Sequence, residues 1–99
     1  MKILISSSAF SDLEDIKEYY TEQRVPNIGA NFISEIFSHI EILNTHPKIG
    51  RVVPEFEDDF IREIIHHPFR VVYLLETKKI HIIRVWRSEQ ILKLPDGEI

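Results

Sequence analysis

The stretch FRVVYLLETKKIHIIRVWR, Phe69 to Arg87, decides the fold. Two runs rich in β-branched and aromatic residues flank Thr77-Lys78, so the spacing predicts a β-hairpin of Phe69–Glu76 and Lys79–Arg87. Register is the open variable. A two-residue loop sets Arg70 opposite Val85, on one face with His81 and Arg87. One more loop residue groups Arg70 with Arg84 and Trp86 instead. A slip of one residue exchanges the faces of a strand, and the spacing leaves both registers open. In either register Arg70 interrupts an apolar strand. A guanidinium there requires a carboxylate partner, a solvated groove or an anionic ligand. Glu63, on the preceding apolar run, is the candidate structural partner.

Working outward, Phe60–His66 reads as a further strand, separated from Phe69 by the turn His67-Pro68. Lys48–Asp59 is a loop punctuated by Gly50 and Pro54, with a short strand possible at Arg51–Val53. Before it, Phe32, Ile33, Ile36, Phe37, Ile40 and Leu43 recur at three- and four-residue steps, which predicts a helix from Asn27 or Ile28 to Asn44 with Asn27 as its cap. Ala9, Leu13, Ile16 and Tyr20 make a second such stripe. That helix is expected to start at a Ser8 cap, or at a Ser11–Glu14 capping box, and to end before Val25-Pro26. Lys2–Ser6 reads as a first strand, at an edge or in the centre. The tail, Ser88–Ile99, is a packed turn or a frayed end. The order β-α-α-β-β-β predicts an α+β fold, a helical hairpin on one face of a mostly antiparallel sheet.

Composition narrows the function classes. The chain has 99 residues, 43% of them hydrophobic and 28% charged, as expected for one globular domain spanning 1–99. It has no cysteine, which excludes disulfides and thiolate metal sites and suits a cytoplasmic location. No apolar run is long enough for a signal-peptide core or a bilayer span, so no membrane association is expected. The net charge of −4 disfavours a free nucleic-acid binder, whose affinity comes largely from neutralised phosphates. Charge is unevenly spread, however. Asp12, Glu14, Asp15, Glu18 and Glu22 cluster early, whereas five of the six arginines, all but Arg24, lie at or beyond Arg51. Arg51, Arg62, Arg70, Arg84 and Arg87, with Trp86, are therefore the candidate binding residues.

Dedicated catalytic motifs are missing. Gly29, Gly50 and Gly97 are too far apart for a phosphate loop, and no nucleophile elbow or metalloprotease helix occurs. Ser6-Ser7-Ser8 reads as a strand exit and helix cap, with no base implied beside it. His66 and His67 would point to opposite faces of a strand, so they do not share a metal without a bend; they read as a turn, and no metal or cofactor is expected. His81 reads as a solvent-facing strand residue, with an acid–base role open.

Taken together, AFSDLEDIKEYY, the phrase L-x-x-x-P-x-x-G-R at Leu43–Arg51, Arg62-Glu63-Ile64, FRVVY and IHIIRVWR resemble the RelE/ParE superfamily of toxins from type II toxin–antitoxin pairs, over nearly the whole chain. The resemblance implies neutralisation by a cognate antitoxin that folds on binding, as a helix or strand added to an apolar groove or sheet edge. It also implies one of two targets. RelE-like members cut mRNA on the ribosome, and Arg70 matches the catalytic arginine of their Y-R-x-x-Y strand, with Arg87 near a later basic cluster. ParE-like members poison DNA gyrase and are not nucleases. Phe69 stands where the RelE-like tyrosine of that strand would be, and Ile91 or Leu92 where a late tyrosine would be. No base for the 2′-hydroxyl proton is evident. These departures favour the ParE-like branch. A ribosome-dependent endoribonuclease, and a degenerate module that only binds its antitoxin, are the alternatives.

Overall fold

The computed structural model of the chain describes residues 1–88, so the tail, including Ile91 and Leu92, lies outside the described residues. Its elements are β1 (Lys2–Ile5), α1 (Ser7–Glu22), α2 (Pro26–Glu41) with a 3₁₀ turn at Ile42–Asn44, β2 (Arg51–Val52), β3 (Ile61–His66), β4 (Phe69–Leu75) and β5 (Lys79–Arg87). They form a five-stranded sheet in the order β1-β5-β4-β3-β2. β1 runs parallel to β5 at one edge, and the other pairings are antiparallel. The α+β architecture of a helical hairpin on a mostly antiparallel sheet is as expected, with the short fourth run at Arg51 realised as edge strand β2.

Both helix starts differ from expectation. The α1 cap is Ser6, not Ser8 or Ser11: its backbone is extended and its hydroxyl oxygen accepts the Ala9 N–H at 3.0 Å. Ser6 still belongs to the sheet, because its own N–H donates to the Ile82 carbonyl and its hydroxyl donates to the Ile83 carbonyl at 3.1 Å. One residue therefore ends the strand and starts the helix, which leaves no room for a later cap. α2 starts at Pro26 with no side-chain cap, so Asn27 does not serve as one. Proline at the first helical position has its φ pre-set for the helix, so α2 starts one residue before Asn27, which lies inside it. The link between the helices turns at Arg24, whose φ is 65°. Just beyond it the helices approach closely, since a Cβ on Gly29 would lie 2.9 Å from the Tyr20 Cβ.

The main core lies between the helices and the sheet. Ala9, Leu13 and Ile16 of α1 and Ile36 and Ile40 of α2 pack with Leu43 onto Ile64, Phe69, Val71, Tyr73, Leu75, Ile80, Ile82 and Val85. Phe37, read as part of the apolar stripe, is instead exposed. The sheet contributions alternate along β4 but change phase along β5. From the turn, Leu75 faces Ile80, Leu74 faces His81 and Tyr73 faces Ile82; after an irregularity at Val72/Tyr73, Val72 faces Arg84, Val71 faces Val85 and Arg70 faces Trp86. Ile83 is the extra residue of a β-bulge. Both anticipated registers thus occur in one hairpin. The two-residue-loop register holds beside the turn, where the Glu76 N–H donates to the Lys79 carbonyl, and the shifted one holds at the far end. Arg70 does not face Val85.

A second, thinner layer covers the opposite face. Val53 and Val72 are fully buried yet stand apart from the helix-side cluster. The segment after β2 folds over this face in a tight turn, in which Phe56 and Glu57 N–H groups both donate to the Val53 carbonyl and Glu57 takes a φ of 51°.

Candidate functional site

That second face collects most of the candidate residues. Arg70 alternates with the core-facing Phe69 and Val71, so it points away from the helices. Its side chain is 8% exposed and every guanidinium nitrogen donates to a carboxylate: Nε to Glu63 Oε1 at 2.5 Å, and Nη1 and Nη2 to the two Glu55 oxygens at 3.0 and 2.9 Å. The Glu63 side chain is completely buried and accepts from Arg51 through its other oxygen at 2.6 Å. Arg51, Glu63, Arg70 and Glu55 thus alternate in sign along one chain of contacts. The bidentate Arg70 contact, chiefly, holds the Glu55 carboxyl below its usual range, and Glu55 in turn raises Arg70.

Arg84 and Trp86 adjoin this network on β5. The Arg84 guanidinium lies 4.9 Å from the Trp86 ring centroid, a cation–π distance, and donates to both Asp12 oxygens at 2.8 and 2.9 Å. Asp12 raises Arg84. Asp12 also accepts the Val85 N–H at 2.9 Å. β1 pairs with β5 only as far as Ile82, and Asp12 with Ser6 covers the edge beyond it.

The other candidates lie elsewhere. Arg62 pins loops, donating to the carbonyls of Gly50 and Asp59 at 2.9 and 3.0 Å. Arg87 faces the helices, opposite Phe69, because the bulge reverses its side. Its guanidinium lies 5.1 Å from the Tyr19 ring, 5.2 Å from Phe69 and 5.9 Å from Tyr20. It borders a cleft of about 220 Å³ floored by Ile16, Phe69 and Val85 and rimmed by Asp12, Asp15 and Tyr19. The structure therefore brings Arg51, Arg70, Arg84 and Trp86 to one face and puts Arg87 on the other, beside α1. Among the described residues, no group of three or more His, Cys, Asp or Glu side chains is arranged to hold a metal ion.

Sequence reasoning missed Glu55 and Asp12. The need for a carboxylate beside Arg70 was visible; that a loop residue would supply a second one was not, because it depends on how the 53–59 segment folds back.

These features can be set against known proteins. Residues 3–92 match the family model described as ParE toxin of type II toxin-antitoxin system, parDE. The chain belongs to the ParE toxin family. Among solved structures it is similar to a chain of the chromosomal ParDE TA system from P. aeruginosa, with a TM-score of 0.74, 22% identity, and coverage of 88% of this chain and 95% of that one. A second similar chain is the conserved hypothetical protein HP0894 from Helicobacter pylori, at a TM-score of 0.45 and 18% identity over 90% of this chain and 96% of that one. No curated protein matches. In this ParE toxin, then, each of Arg51, Arg70 and Arg84 meets a carboxylate. No described helix is long and apolar enough to cross a membrane.

Proposed function

We propose that this ParE toxin acts in the cytoplasm by binding a protein target, DNA gyrase, and not by cutting RNA, and that a cognate antitoxin neutralises it. The observation that carries this reading is the closure of Arg70. A nuclease arginine must meet phosphate as charge develops in the transition state. Here Glu63 and Glu55 take up the guanidinium, and phosphate would have to displace a bidentate carboxylate. No histidine takes part in the Arg51–Glu63–Arg70–Glu55 network to act as a base. Trp86, flanked by Arg84 and facing Arg70, is the residue we assign to target contact.

For the antitoxin, support comes from the solved ParDE system of P. aeruginosa and from the cleft beside Arg87. That cleft has an apolar floor of Ile16, Phe69 and Val85 beside α1, which suits an added antitoxin helix.

The test is a pair of assays with the purified chain. Supercoiling by gyrase should fall as toxin is added, while primer extension on ribosome-bound mRNA shows no codon-linked cuts. Normal supercoiling together with such cuts overturns the reading in favour of a ribosome-dependent nuclease. Absence of growth arrest on induction without antitoxin would instead indicate a degenerate antitoxin-binding module.

A further inference from the structure

Away from both faces discussed so far, α2 and β3 bring together three side chains of another kind. Glu35 and His39 lie one turn apart on α2 and so share a helix face. His66, the last residue of β3, has the same parity as core-facing Ile64 and points towards them. The His39 and His66 Nδ1 atoms are 3.3 Å apart, with ring centroids at 5.4 Å and planes inclined at 68°. On its far side, His66 Nε2 lies 3.0 Å from Glu35 Oε1.

We propose that His39 and His66 form a two-histidine binding site for a zinc-class divalent cation, with Glu35 as the outer carboxylate that orients His66.

The tautomers follow from the contacts. A carboxylate only accepts, so His66 carries its proton on Nε2 and presents the Nδ1 lone pair to His39. His39 Nδ1–H fills the gap when no metal is bound. Moving that proton to His39 Nε2 leaves lone pairs on two facing nitrogens, with no net proton change. Zinc–nitrogen bonds of about 2.0–2.1 Å at a tetrahedral angle set two ligand nitrogens about 3.3 Å apart. The observed spacing matches that value, so a turn of the two rings about their side-chain torsions would aim both nitrogens at one cation. Imidazole also selects this class of metal over magnesium or calcium, which prefer oxygen donors.

Two further features support the site. The Glu35–His66–cation line is the usual outer-sphere arrangement for a metal-bound histidine. His39 and His66 come from different elements, α2 and β3, so a shared cation would bridge the two layers of the fold. With only two protein donors, water completes the coordination, and the His66 side chain, 21% exposed, leaves access for it. Exchange is therefore fast and binding modest. Its structural effect is to tie α2 to the β3–β4 hairpin.

The remaining histidines are not equivalent. His46 Nδ1 contacts the Thr45 hydroxyl, His81 Nε2 faces Glu76, and His67 is exposed in the turn between β3 and β4.

The experiment is a zinc chloride titration of the purified chain, followed by imidazole ¹H–¹⁵N NMR and by thermal unfolding. The His39 and His66 Nδ1 resonances should move together, and the unfolding midpoint should rise with zinc. Glu35→Gln should weaken binding about 10–100-fold, His39→Gln should abolish it, and His46→Gln should leave it unchanged. Zinc shifts confined to His46, His67 or His81, or no imidazole shift at millimolar zinc, overturn the proposal. Because the NMR reading is made on the unaltered chain, it decides the matter even if a variant fails to fold.

Discussion

Arg70 and Glu63 form a buried ion pair, 2.5 Å between Nε and Oε1, on the face of the sheet that carries no helix. Each partner has a second, more exposed contact: Glu55 for Arg70 and Arg51 for Glu63. The network is thereby neutral in sum and closed at both ends.

Removing one member should be costly. Arg70→Ala leaves the fully buried Glu63 with Arg51 alone, and breaking a buried pair costs about 3–5 kcal/mol. Urea unfolding should show a loss near the lower figure, since Arg51 remains. Replacing both Arg70 and Glu63 by Met should recover most of it. Loss of toxicity in Arg70→Ala must accordingly be read beside a stability measurement.

Acid should release the loop clasp. Contact with Arg70 depresses the folded Glu55 pKa below its ordinary 4.5. A depressed carboxyl contributes stability above its unfolded pKa and loses it as pH falls through the folded value. The stability difference between the native chain and Glu55→Gln should thus be constant above about pH 5.5 and shrink below about pH 4.5. Its size is limited by solvent, because the Glu55 side chain is 37% exposed. Urea midpoints for both chains across pH 3–7 test this.

Asp12 serves a strand edge and a charge at once. Asp12→Ala strands the Val85 N–H and the Arg84 guanidinium, with an expected cost of about 2 kcal/mol. Asp12→Asn keeps an acceptor for Val85 and should cost about 1 kcal/mol. Hydrogen exchange at the Val85 amide should accelerate more in the alanine variant.

The Tyr73 hydroxyl fastens the 47–50 segment to the sheet. It donates to the Pro47 carbonyl at 2.8 Å and accepts the Gly50 N–H at 3.0 Å. Burial raises its pKa, with the Gly50 contact opposing. Tyr73→Phe should cost about 1–2 kcal/mol by removing both bonds. Gly50→Ala should cost more, because its Cβ would lie 2.6 Å from the Tyr73 hydroxyl and 2.7 Å from the Glu63 carbonyl oxygen. Thermal unfolding should rank the two variants in that order.

Much of this fold is legible in the sequence, because it rests on periodicity. The runs of β3, β4 and β5 emerge within a residue or two of their observed bounds, and the stripes of α1 and α2 locate both helices, whose ends differ by more. What escapes is set by contacts distant in sequence. Ser6, not Ser8, caps α1 because β5 already holds it in the sheet. Ile83 bulges, and so places Arg87 among aromatic rings instead of beside Arg70, through packing that no local spacing encodes. The candidate site was legible in the same partial way. An arginine inside FRVVY announces a need for negative charge, and Glu63 could be named from the adjacent strand. Glu55 approaches from a loop and Asp12 from a helix 72 residues before Arg84, and neither has a sequence signal.

The lengths of the strands have a consequence for self-association. The seven and nine residues of β4 and β5 occupy interior positions, whereas the edge strands β1 and β2 have four and two. An exposed edge is a template on which further chains can add, and short edges offer few ladder sites. Where β5 outruns β1, Ser6 and Asp12 already engage its backbone. Beside β1 the sheet is therefore closed, and a protein with Phe10, Phe56 and Phe60 on its surface offers few ladder sites for fibrillar growth because its outermost strands are short.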